Sequence, residues 1–129
     1  MKGLLALTVL LYCVYTDGFG QKAGDAIIGK WLKLPKKDLI IEVYKTKGQY
    51  NGKINWAKSP DHPAGFIIIE DLKYNTKSGK WEKGKIRDPN SSKVYSAEVK
   101  LPSEGNLLVR GFKGAKFIGT SRTFTRVKS

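Results

Sequence analysis

Gly48-Gln49-Tyr50-Asn51-Gly52-Lys53-Ile54-Asn55-Trp56 decides the fold class, because its polar and apolar residues alternate without a break. Tyr50, Gly52, Ile54 and Trp56 fall on one side of an extended chain, and Gln49, Asn51, Lys53 and Asn55 on the other. Successive side chains of a strand point to opposite faces, so a period of two predicts one packed and one wetted face. Short runs of the same kind recur on both sides of this stretch, and no sustained 3.6-residue period competes with them. Eight strands are expected, over Ile27–Leu34, Asp38–Lys45, Gly48–Ala57, Gly65–Tyr74, Lys80–Arg87, Lys93–Leu101, Asn106–Phe112 and Lys116–Val127.

The connections carry turn chemistry and are short, as in Lys45-Thr46-Lys47-Gly48, Asn75-Thr76-Lys77-Ser78-Gly79 and Pro102-Ser103-Glu104-Gly105. Short turns make sequential strands antiparallel neighbours. The longest connection, Lys58-Ser59-Pro60-Asp61-His62-Pro63-Ala64, holds two prolines that forbid ladder pairing, which makes it the candidate rim or lid loop. Closing eight such strands removes exposed edges, and an eight-stranded barrel has room for side chains or one small ligand. The expected fold is therefore an all-β, eight-stranded, antiparallel up-and-down barrel, with an open two-sheet sandwich as the alternative.

Outward from the barrel, Met1-Lys2, the apolar run from Leu4 to Tyr15 and Gly18-Phe19-Gly20 form a charged region, an apolar core and a small-residue cleavage site. That pattern predicts a signal peptide over residues 1–20, cleaved after Gly20, and a single domain over 21–129 that is secreted or periplasmic. The apolar run is shorter than a bilayer-spanning helix needs, so no transmembrane segment is expected. Cys13 lies within the apolar run, and bulky Tyr12 before it argues against a lipoprotein. The exported domain would then contain no cysteine and rely on its core alone.

The chain has 24 basic and 11 acidic residues, a net charge of +13. Removing residues 1–20 takes away one base, Lys2, and one acid, Asp17, so the charge belongs to the domain. Such a field attracts anionic lipid, lipopolysaccharide or other polyanions of the cell envelope. Nucleic acid is a poor partner for an exported protein. Lysines spread over nearly every strand and turn also describe an ordinary solvated surface.

The first strand contains Gly29-Lys30-Trp31 and the last contains Arg122-Thr123-Phe124-Thr125-Arg126. In a lipocalin-like barrel, Gly-x-Trp lays an indole across the floor, where an arginine of the last strand stacks on it. Between these lie Glu42-Val43-Tyr44, Gly-x-Tyr-x-Gly-Lys-Ile-x-Trp from Gly48, and Trp-x-x-Gly-Lys-Ile-x-Asp-Pro from Trp81. Tyr95-Ser96-Ala97, Val109-Arg110-Gly111-Phe112 and Gly119-Thr120-Ser121-Arg122-Thr123-Phe124-Thr125-Arg126-Val127 follow. In this order, over nearly all of Ile27 to Val127, the set resembles the bacterial secreted domain of unknown function two-one-four-seven. The resemblance implies an exported lipocalin-like barrel suspected of binding a small hydrophobic or amphipathic ligand, in a family for which no enzymatic activity is established. The stretch between Trp56 and Gly65 is shorter than the family's usual insertion there.

Mapped onto the strands, the candidate ligand-binding residues are Tyr44, Tyr50, Trp56, Trp81, Tyr95, Arg110 and Phe112. Arg110 has two readings. If Leu108 and Phe112 face inward, Arg110 does too and needs Glu42, Glu98 or a ligand carboxylate as partner. If Leu107, Val109 and Gly111 face inward, it points to solvent.

Catalytic constellations are sparse. Residues 21–129 hold no cysteine and one histidine, His62, in a proline-flanked loop, so a histidine triad or zinc site is not expected. Glu42, Glu70, Asp71, Glu82, Asp88 and Glu98 are the remaining acid–base candidates. No phosphate-cradling glycine loop is present. The expectation is a non-catalytic binding protein without metal or cofactor. A basic surface for envelope polyanions is the alternative, and an enzyme the third. An interior cavity of roughly 300 Å³ or more would favour ligand binding, whereas a packed interior would favour the surface.

Overall fold

The computed structural model describes residues 23–91, 93–113 and 119–128. Their strands are β1 (Gly29–Lys33), β2 (Leu39–Thr46), β3 (Gln49–Ala57), β4 (Ile67–Asn75), β5 (Lys80–Arg87), β6 (Val94–Ser103), β7 (Asn106–Phe112) and β8 (Gly119–Arg126). Each pairs antiparallel with the next, and β1 pairs with β8, so the sheet is a closed barrel rather than an open sandwich. Residues 1–20, expected to be a signal peptide, lie outside the described residues, as do Lys116 and Ala115 ahead of β8. Among the described residues no helix is long and apolar enough to cross a membrane.

At the start of the first expected strand the chain forms something else. Completely buried, Ile27 ends a short 3₁₀ turn, Asp25–Ile27, which leads into β1. This turn plugs the end of the barrel where β1 begins. The indole N–H of Trp31 donates to the Ile27 carbonyl at 2.9 Å, and that of Trp81 donates to the Gly24 carbonyl at 2.9 Å. The Arg126 guanidinium lies 4.2 Å from the Trp31 ring centroid and donates to the carbonyls of Ala26 and Ile28. The floor expected from Gly29-Lys30-Trp31 is thus present, with Arg126 rather than Arg122 as its arginine. Gly29 has φ +135°, and a Cβ there would stand 3.0 Å from an Arg126 nitrogen. Glycine supplies both the backbone angle and the space for the stack.

Three irregularities curve the sheet and reset which residues face inward. In β3, Ile41 pairs with Ile54 but Ile40 pairs with Trp56, leaving Asn55 as an extra residue. In β4, Asp71 has φ +61° and its N–H donates to Asn51 Oδ1 at 2.9 Å, so the inward residues Ile69 and Leu72 are three apart. In β5, Lys83 has φ +62°, and the inward residues Trp81 and Gly84 are likewise three apart. Bulges of this kind sharpen local twist, which a small barrel needs to close.

The core divides along the barrel axis. Ile27, Trp31, Tyr50, Leu72, Trp81, Val99 and Leu107 fill the plugged half with bulky side chains. The other half is lined mainly by branched aliphatics and is hollow.

Candidate functional site

The hollow half is a cavity of about 540 Å³. Its walls are Leu39 and Ile41 of β2, Ile69 of β4, Ile86 of β5, Val109 of β7 and Phe124 of β8. These residues lie on the inner face because each strand alternates and the bulges keep the alternation in phase. Toward the mouth stand Lys33 of β1, Ile68 of β4, Tyr95 of β6, Phe112 and Lys113 at the end of β7, and Thr120 and Arg122 of β8. Such dimensions and composition suit an apolar molecule with a polar end.

Among the described residues the mouth is framed by the connections between β1 and β2, β3 and β4, and β5 and β6. The β3–β4 connection, singled out from its two prolines, is tied down on both sides. Lys58 N–H donates to the Asp38 carbonyl at 2.9 Å, and His62 Nε2 lies 3.0 Å from Asn90 Nδ2 of the β5–β6 connection. It is a rim loop pinned to its neighbours.

Of the seven residues expected to bind ligand, Tyr95 and Phe112 line the cavity. Tyr50 and Trp81 face inward but belong to the packed floor. Tyr50 donates its hydroxyl to Asp25 Oδ1 at 2.6 Å, and Trp81 packs at 4.8 Å between ring centroids on Tyr74. Burial, and then the hydrogen bond to Asp25, push the Tyr50 hydroxyl well above the ordinary phenol range. The same hydrogen bond, more than the nearby Lys45 ammonium at 3.1 Å, holds the Asp25 carboxyl below its usual value.

Three expected residues stand on the outer surface. Tyr44 alternates with buried Val43 and carries Lys53 Nζ at 5.3 Å from its ring centroid. Trp56 should share the face of Ile54 by simple alternation, but the extra residue Asn55 turns it outward, where it is 45% exposed. Arg110 is resolved toward the outward reading, since Leu107 and Val109 are buried on the inner face. Opposite it in the register is Glu98, which is almost fully buried and pairs with Lys80 at 3.2 Å.

The sequence reasoning missed the cations that do reach the mouth. Lys33 pairs across the sheet with Phe124, and Arg122 with Val109. Both partners belong to the core, and directly opposed residues share a face, so Lys33 and Arg122 occupy inward positions. The signal was available in the alternation of Arg122 with Phe124 along the last strand, once the direction of Phe124 is known.

The family profile described as "Uncharacterized protein conserved in bacteria (DUF2147)" matches residues 29–126. The chain belongs to this family. The match begins at the glycine of Gly29-Lys30-Trp31 and ends at Arg126, the two partners of the floor, so the family's extent coincides with the barrel from β1 to β8. Among solved structures, the chain is similar to protein HP1028 from Helicobacter pylori, described as belonging to the lipocalin family. The TM-score is 0.66 at 16% identity, over 80% of this chain and 84% of that one. At that identity the likeness shows a shared lipocalin-like fold. No curated protein matches this DUF2147 chain in sequence.

Proposed function

We propose that this DUF2147 barrel binds a small hydrophobic or amphipathic molecule in its open half and acts outside the cytoplasm as a non-catalytic carrier or sensor. The observation that carries the proposal is a cavity of about 540 Å³ walled by aliphatic side chains and opposed to a packed, hydrogen-bonded floor. Exposing such walls to water is unfavourable by roughly 25 cal/mol per Å² of apolar surface, and a ligand of matching shape recovers that free energy. Among the described residues the lining contains no carboxylate, histidine or cysteine, which favours binding over catalysis. Export is supported by the pattern Met1-Lys2, Leu4 to Tyr15 and Gly18-Phe19-Gly20.

Native mass spectrometry of the protein isolated from its own host tests both parts. The expected spectrum shows a chain beginning at Gln21 and carrying a small molecule that is released on activation. A chain always found at its ligand-free mass would remove the carrier reading, and one retaining Met1 would remove export.

A further inference from the structure

The mouth of the cavity is electrically one-sided. Lys33, Lys113 and Arg122 line it, and no acidic residue does so among the described residues. Lys33 has a partial partner in Asp38, at 3.6 Å. Arg122 donates to the carbonyl of its neighbour Ser121 at 3.1 Å, and no carboxylate among the described residues pairs with it. Lys33 is half-buried and Arg122 is exposed, so both cations stand hydrated at the rim of the aliphatic chamber, where an anion can reach them. Positive charge thus stands at the entrance of a chamber whose walls are mainly aliphatic.

A second cleft lies directly beyond the same two residues. It has a volume of about 530 Å³ and is bounded by Lys33, Leu34, Pro35, Lys36, Arg122 and the strand residues beside Arg122. Lys33 and Arg122 therefore line both the apolar chamber and a cleft that adds a third cation, Lys36. A molecule with its tail among Ile41, Ile69 and Ile86 brings its head to the mouth, between the ammonium and the guanidinium. Arginine suits that position because its planar fork can give two parallel hydrogen bonds to one oxyanion.

We infer that the cavity selects amphiphiles bearing an anionic oxygen head group, a carboxylate or a phosphate monoester, held at Lys33 and Arg122. The inference rests on the ligand-binding reading above and names its ligand class. The surrounding +13 charge speeds approach of such a ligand, but the two inward cations give the selectivity.

Calorimetric titration of the purified protein with decanoate, decyl phosphate, decanol and decyltrimethylammonium, each below its micellar concentration, separates the possibilities. Both anions should bind at least about tenfold more tightly than decanol, and the ammonium compound more weakly still. The ratio of decyl phosphate to decanoate reports how far the head extends toward Lys36. In Lys33→Gln/Arg122→Gln the preference for anions should collapse while decanol affinity is kept. Lys85→Gln/Lys100→Gln, which removes the same charge from exposed outer positions on β5 and β6, should leave it intact.

Equal affinity for decanoate and decanol would overturn the anionic head while leaving the apolar cavity in place. An equal loss in the outer-surface variant would overturn the assignment to Lys33 and Arg122, reducing the effect to bulk charge. If none of the four binds, both this inference and the binding reading fall. The comparison of head groups on the unmodified chain holds even if the double variant folds poorly.

Discussion

At Trp31 three requirements meet in one side chain. It is completely buried, its indole N–H caps the Ile27 carbonyl, and its ring face accepts Arg126. Trp31→Ala should destabilise the barrel by about 3–5 kcal/mol, read as a lower denaturant midpoint, because a large cavity opens and a buried carbonyl loses its donor. Tyr50 and Asp25 form the second residue-scale device, and their pH dependence has a definite sign. The Asp25 carboxyl is held low in the fold, so its contribution is present above its unfolded value, about 3.9, and is lost as pH falls through the lower folded value. The Tyr50 hydroxyl is held high, so its contribution is full below about pH 10 and is lost as pH rises from there. Asp25 is partly solvated, which makes the acid effect the smaller of the two. Unfolding midpoints across pH should fall at both extremes, and Tyr50→Phe should flatten the alkaline fall. An unchanged alkaline profile in that variant would remove the pair from the account. The role of Trp31 was legible in Gly29-Lys30-Trp31, whereas the Tyr50 bond was not, because Asp25 reaches it only through a 3₁₀ turn that no periodicity announces.

At the scale of elements, bulges explain most of what the sequence pattern misplaced. Strict alternation puts Trp56 beside Ile54, and a single extra residue, Asn55, moves it to solvent. No local preference in Ile54-Asn55-Trp56 marks the bulge; it follows from the register that β2 and β4 impose. The bulge of β5 depends on a glycine instead. Gly84 is buried on the inner face, and a Cβ there would lie 2.7 Å from Leu72 Cδ2 and 2.8 Å from the Glu70 carbonyl oxygen. Because one of those atoms is backbone, Gly84→Ala should cost about 1–3 kcal/mol, measured by chemical denaturation. A neutral result would mean that β4 and β5 separate more easily than the bulge geometry implies. Strand number and order were readable because every connection is short and every strand carries its own period-two pattern. Strand ends were not, since Ile27 has the apolar character of a strand residue yet is drawn into the plug.

At the scale of the molecule, the barrel is packed at one end and hollow at the other, and this division is why aromatic content led to the floor as well as to Tyr95 and Phe112 of the cavity. Trp31, Tyr50 and Trp81 are large and flat, so they fill the floor. The cavity walls are left mainly to isoleucine, leucine and valine, whose apolar character looks the same in sequence whether they pack or line a space. The charge that matters at the mouth is likewise invisible in a net value of +13, because only the closed register shows that Lys33 and Arg122 turn inward. Methyl-resolved NMR during titration with decanoate examines the hollow half directly. Saturable shifts are expected at Ile41, Ile69, Ile86 and Val109, with little change at Ile27, Val99 and Leu107 in the packed half. Shifts confined to outward Ile40 and Ile67, or none within the barrel, would contradict a ligand cavity and return function to the outer surface.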